Sequence, residues 1–218
     1  YGFEYSMTRQ EGLRDGTVPT FPDFFPNKPF PDTDFMFFGA FVQDEISLFD
    51  GMLKLYPAVR YDAFEVDPEA SPLYPLPTVA GSADSHLSPK FGAVFWLTQQ
   101  FGLFANYAEG FKAPAPSQVN NGFTNAVQDY TSIPNPNLRP ETSESFEGGV
   151  RVRDIDVFGG SLAASATAFT ADYADFITQA CVNANPVECN IDGVPPTTVF
   201  QYIKIGAVEI SGCETRLD

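Results

Sequence analysis

The sequence predicts an all-β protein, an antiparallel barrel whose strands are long enough to cross a membrane. Three observations lead there. Aromatic residues make up 15% of 218 residues, with 22 Phe and 9 Tyr against one Trp, a bias that favours strands. Apolar and polar residues alternate with period two over runs of about 10 to 18 residues, where strands in globular proteins average about 5 or 6. Short turns and long loops also take turns along the chain, so that tight connections gather at one end of the sheet and long ones at the other, as in a membrane-spanning barrel. A soluble β-sandwich alternates too, but its strands are shorter and its turns come about every 8 to 12 residues.

The elements follow in order. Tyr1 to Gln10 places Tyr1, Phe3, Tyr5 and Met7 on one face and Gly2, Glu4, Ser6 and Thr8 on the other. Residues 11–34 carry Pro19, Pro22, Pro26, Pro29 and Pro31, a composition that only a loop tolerates. Phe35 to Phe49 and Met52 to Asp67 flank Asp50-Gly51, a strong hairpin signal. A second loop, 68–86, precedes the strands Leu87 to Thr98 and Phe101 to Phe111, joined near Gln99-Gln100. The third loop, 115–141, leads to Thr142 to Arg153, a turn around Asp154 to Gly159, and Gly160 to Ile177. The fourth, 178–197, leads to Phe200 to Leu217. This makes about eight strands with four loops expected on the extracellular side. Apolar faces would meet lipid, while Lys54, Arg60, Asp62, Lys90, Glu147, Arg151 and Arg153 would line the interior. Asp44 and Glu209 fall on the more apolar faces of their strands, a placement tolerable near a membrane interface.

Composition excludes several function classes. A formal charge of −16 and a pI near 4.2 lack the basic stripe that nucleic acid needs. No run of 18 apolar residues predicts a membrane-crossing helix. The chain opens on Tyr1 and reads as part of something longer. Of three cysteines, Cys181 and Cys189 lie close in a polar loop and can close a disulfide in an oxidising compartment or stay reduced, while Cys213 stands alone in a strand. The chain has no GxSxG, HExxH or Walker motif, and its one histidine, His86, has only sequence neighbours Asp84 and Ser85 to make a triad with. No catalytic residue, metal site or bound cofactor is expected.

Two boxes frame the third loop. YAEGFKAP (107–114) closes one strand and NPNLRPETSESFEGG (135–149) opens the next, with prolines where the ladder stops. A long irregular loop held on a rigid scaffold is a place for function. Seven stretches in order, FGAFVQDEISL, LKLYPAVRYDAF, LSPKFGAVFWLT, YAEGFKAP, NPNLRPETSESFEGGV, ATAFTADYADFI and AVEISGCETRL, resemble the barrel domain of TonB-dependent outer-membrane receptors. The paired FKAP and NPNL boxes are similar to those of the haem and haemoglobin receptors. The resemblance covers most of the chain.

It implies a barrel of about 22 strands, of which these are roughly a third, and a plug domain that this chain does not contain. It also implies the outer membrane of a Gram-negative bacterium, crossed several times, and energy coupling through TonB, ExbB and ExbD to a segment outside this chain. The implied ligand is haem or a haem protein; the alternatives are a ferric siderophore, or a structural or adhesin barrel with no transport role. In haem receptors a histidine between the boxes handles the iron. Residues 115–134 contain none, so Tyr130 between the boxes and His86 outside them are the candidate haem ligands, since both side chains serve as axial ligands. Phe111, Lys112, Asn135 and Asn137 are further candidate ligand contacts, alongside a reading in which the boxes fix the loop ends. Phe21, Phe24, Phe25 and Phe30 offer an aromatic surface for a protein ligand.

Overall fold

A computed structural model describes residues 1–16, 25–76, 79–125, 128–182 and 198–218. Among the described residues there are eleven strands, all in one sheet, and one short helix: β1 (Gly2–Gln10), β2 (Thr33–Gln43), β3 (Ile46–Leu48), β4 (Leu53–Pro68), β5 (Ser82–Trp96), β6 (Phe101–Lys112), α1 (Pro116–Val119), β7 (Phe123–Asn125), β8 (Tyr130–Ile133), β9 (Glu141–Val157), β10 (Gly160–Cys181) and β11 (Thr198–Leu217). The sheet order is β1-β2-β4-β5-β6-β9-β10-β11-β8-β7, with β3 on β4. Each long strand therefore pairs with its nearest long neighbours in sequence, as an up-and-down barrel wall requires. β3 continues β2 beyond a break at Asp44 and Glu45, which leaves eight long strands among the described residues.

The tight connections lie together at one end of the sheet. At the first, Phe49 and Asp50 have φ near 55° and Gly51 has φ 87°, and Gly51 and Met52 donate back to Leu48 and Phe49. Phe158 (φ 51°) and Gly159 (φ 83°) make the two-residue turn between β9 and β10, the twist that suits a hairpin. The turn therefore falls within the expected 154–159, at its far end, and Asp154 sits in a β-bulge. Asp154 has φ 54°, and the register slips between Ile155↔Leu162 and Val152↔Ala164. An extra residue on one strand is absorbed there without ending the ladder.

Register confirms the two faces. Phe3↔Ala40, Tyr5↔Phe38, Phe38↔Ala63, Tyr61↔Leu87, Phe91↔Tyr107, Tyr107↔Phe146 and Leu103↔Val150 form continuous apolar rows. These side chains are open to the surroundings, with Phe3 83%, Leu87 58% and Phe146 52% exposed. So wide an apolar band belongs against lipid. The other face carries Glu4↔Gly39, Gly39↔Asp62, Asp62↔His86, Arg60↔Ser88 and Asn106↔Glu147. Arg60 donates to Asp62 at 2.7 Å and to Glu4 at 3.2 Å. Arg151 and Arg153 do not pair with Glu147; they stack on Phe104 and Trp96, at 4.7 and 3.8 Å. Glu209 is the end of an acidic row, Glu109↔Glu144↔Asp172↔Glu209, one step towards the loops from Tyr107↔Phe146.

Strands run further into the loop end than alternation alone indicates. β5 starts at Ser82, so His86 is a strand residue, and β10 continues to Cys181. Ser82 to His86 is polar and small, yet Val66, Asp62 and their neighbours on β4 supply a complete ladder for it. Residues 115–134 are not wholly irregular either, since they hold α1, β7 and β8. β8 lies parallel to the start of β11, through Thr198↔Tyr130 to Gln201↔Ile133.

Candidate functional site

The two boxes meet side by side at the loop end of the sheet. Lys112, last residue of β6, is the register partner of Glu141, first residue of β9, and its Nζ donates to Glu141 Oε2 at 2.9 Å. Glu141 is 6% exposed, and its other oxygen accepts the backbone N–H of Ile177 at 2.9 Å. One carboxylate thus joins three strands, β6, β9 and β10. Charge-assisted bonds of this kind are about twice as strong as neutral ones. Pro114 and Pro140 beside them are buried.

Asn135 is spent on the loop. Its N–H donates to Val119 O at 2.9 Å, its Nδ2 to Tyr202 O at 2.8 Å, and its Oδ1 accepts Asn137 N–H at 3.0 Å. The last bond is an Asx turn, the local chemistry that asparagine brings to such a position. Asn137 itself is exposed and lines a cavity of about 470 Å³ with Ser82, Asp84, Pro136, Arg139 and Lys204.

His86 sits across from Asp62 on the polar face. Its ring lies 5.5 Å from that of Phe111 and within 4° of parallel, and Phe111 in turn meets Phe64 at 6.0 Å. Nε2 is 3.6 Å from Glu109 Oε2, too long for a hydrogen bond, and it is buried without a partner, as is Ser88 Oγ. Unpartnered buried polar atoms are uncommon and call for an explanation. Tyr130 belongs to a different aromatic group, edge-on to Phe123 and Phe200, each at 5.8 Å. The structure therefore joins His86 with Phe111, Lys112 with Glu141, and Asn135 with Asn137, and keeps Tyr130 apart from the histidine cluster.

Sequence reasoning missed the residue that ties the loops together. Asn120, fully buried after α1, donates through Nδ2 to Ala80 O at 2.8 Å and accepts Ala80 N–H at 2.9 Å. Its carbonyl accepts the Tyr74 hydroxyl at 3.0 Å, and burial pushes that phenol up to about 12. Gly122 N–H donates to Pro29 O, and Lys28 N–H to Leu73 O. A Cβ on Gly122 would stand 2.6 Å from the Tyr74 hydroxyl, so only glycine allows that approach. Val119, Leu138 and Ile177 form the small apolar core beneath, with Ala80 and Tyr202 packed on it. Three loops thereby make one roof. Nothing in a Pro- and Asn-rich stretch signals this, because a single buried amide has no periodicity.

Of the aromatic loop residues, Phe25 and Phe123 flank Arg14 at 5.5 and 4.2 Å, while Phe21 and Phe24 lie outside the described residues. Cys181 ends β10, Cys189 lies outside the described residues, and Cys213 is free and exposed. No group of three metal-binding side chains occurs among the described residues.

A long-stranded antiparallel wall with tight turns at one end and a packed loop roof at the other defines a membrane-barrel segment. The family described as TonB dependent receptor-like, beta-barrel, matches residues 1–218, and the chain belongs to that family, whose members are outer-membrane β-barrel proteins. It is similar to the heme/hemopexin utilization protein C of Haemophilus influenzae, 28% identical over 187 residues, covering 82% of this chain and 24% of that protein. It is similar also to the hemin receptor of Yersinia enterocolitica, 28% identical, covering 75% of this chain and 26% of that protein. The chain spans about a quarter of the length of these relatives. Among solved structures it resembles the Serratia marcescens hemophore receptor HasR, in complex with its hemophore HasA and heme, with a TM-score of 0.70 at 19% identity, over 87% of this chain and 32% of that one. It also resembles the ferric-catecholate import receptor Fiu of E. coli, with a TM-score of 0.59 at 15% identity, over 99% of this chain and 31% of that one.

Proposed function

We propose that this chain is the ligand-facing barrel segment of an active-transport receptor that captures an iron-bearing ligand, haem or a haem protein, and imports it across the outer membrane of a Gram-negative bacterium. The observation that carries the reading is the similarity of three-quarters or more of the chain to proteins named for haem and hemin. In this reading the TonB–ExbB–ExbD complex supplies the energy, acting on parts of the receptor outside this segment, and the wall crosses the membrane several times. The loop roof receives the ligand. His86, held flat on Phe111 with an unpartnered Nε2, has the chemistry of an axial ligand, and Tyr130 is the other candidate. Phe111 would support His86, while Lys112, Asn135 and Asn137 shape the rim. A Cys181–Cys189 disulfide would brace the fourth loop in an oxidising compartment.

A second reading, a ferric-siderophore receptor, is favoured by one observation: residues 115–134 contain no histidine. Haem titration of the purified full-length receptor separates the two. Under the haem reading the Soret band shifts on binding, and His86→Ala changes the shift more than Tyr130→Ala does. No shift with the unaltered receptor, together with uptake of a ferric siderophore, would sink the haem reading.

A further inference from the structure

The cavity beside the second box has a character that the function above does not use. It holds about 470 Å³, within the roughly 300 to 1,000 Å³ usual for small-ligand sites. Its walls are the start of β5 (Ser82 to Asp84), the box turn Pro136 to Pro140, and Lys204 from β11. The two prolines and the Asx turn at Asn135 give that turn a fixed backbone. Two cations reach the cavity and they differ. Lys204 is held by Asp175 at 3.2 Å. Arg139 is exposed and makes no hydrogen bond or ion pair among the described residues, in a chain that carries 28 acidic residues against 12 basic ones. Its neighbours Glu141 and Asp84 are engaged elsewhere, Glu141 with Lys112 and Ile177, and Asp84 with the Ser85 N–H at 2.7 Å. An arginine left over amid so many carboxylates, in the lining of an open cleft, matches a partner that arrives from outside. The guanidinium fork binds carboxylates two bonds at a time.

We propose that Arg139, with Lys204 as the secondary cation, forms a subsite for a carboxylate group on the incoming ligand. The inference rests on the reading of the chain as a receptor for an iron-bearing ligand and adds the recognition chemistry. Asp84, which also lines the cavity, repels an anion placed against it. Two ligand sources offer this chemistry, the carboxylate edge of a haem and a ferric carboxylate chelate.

The test uses the full-length receptor in outer-membrane vesicles and three probes: haem, haem dimethyl ester and ferric citrate. Haem should bind at least about ten- to a hundred-fold tighter than its ester, the span expected when even one of the two bonds to the charged group is lost. Arg139→Gln should remove that preference, Arg139→Lys should restore part of it, and Lys204→Gln should have the smaller effect. Heat-modifiable migration on a gel reports that each variant is folded. A preference for haem over its ester that survives Arg139→Gln overturns the subsite. Failure of the unaltered receptor to bind haem, with ferric citrate bound in an Arg139-dependent way, sinks the haem reading and supports the subsite. Binding of none of the three probes overturns the subsite as well.

Discussion

The wall and the roof of this molecule are held together by opposite means. In the wall, apolar side chains such as Phe3, Leu87 and Phe146 remain exposed, and order comes from continuous backbone ladders such as the seventeen paired positions of β10 and β11, from Ala164↔Leu217 to Cys181↔Phe200. In the roof, three loops with little ladder of their own close over Val119, Leu138 and Ile177 and over the buried amide of Asn120. The wall leaves its apolar side to the membrane and needs no interior of its own. The roof, standing in water, must build a small interior and find partners for most of the polar groups it buries.

The contrast can be broken at either side. The largest effect is expected in the wall at Gly149, where an added Cβ would meet the Ala166 carbonyl and stand 2.9 Å from Phe104. Gly149→Val should cost about 3 kcal/mol or more, seen as loss of the heat-modifiable folded band. Next comes the roof. Asn120→Ala leaves the half-buried Ala80 N–H and C=O without their side-chain partners, a loss of about 1 to 3 kcal/mol. Hydrogen exchange should rise at Ala80 and Gly122 while amides in the middle of β9 and β10 stay protected; a uniform rise across the wall would contradict the separation.

A milder test uses pH. The Tyr74 phenol is raised from its usual value near 10 to about 12 by burial, so the folded roof favours the neutral form. Its stabilisation is complete below about pH 10 and is lost as pH climbs to about 12. Near-UV difference absorbance should show a late-titrating phenol, and Tyr74→Phe should lower the amplitude of that late phase by one phenol. The smallest effect belongs to Arg9, whose partners Glu11, Asp34 and Glu69 share an exposed surface. Arg9→Ala should leave the unfolding midpoint unchanged, since exposed ion pairs contribute little.

The same division governs what the sequence makes legible. Alternation along Leu53 to Asp67 or Leu87 to Trp96 reads directly as strand, because each residue reports its own face. Asp50-Gly51 announces its turn. Strand ends are harder. Ser82 to His86 has no apolar alternation of its own and is extended only because β4 offers partners. That moved His86 from a loop onto the polar face of the sheet and against Phe111. Glu141 and Asn120 were invisible for a related reason. Each is polar in a polar stretch, and its role depends on which backbone groups other loops bring within reach. The two boxes were recognisable as strand rims, yet the sequence could not reveal that Lys112 and Glu141 clasp each other across them.

The parallel pairing of β8 with β11 sets a stop for the sheet on that side. Over Thr198 to Gln201 the edge of β11 is occupied by Tyr130 to Ile133. A strand arriving on that side finds open ladder groups only below, from Tyr202 towards Leu217. Four residues of offset are about 13 Å along the strand. A strand pairing below β8 would be staggered by that offset, and stagger is the quantity that fixes the tilt and girth of a closed barrel.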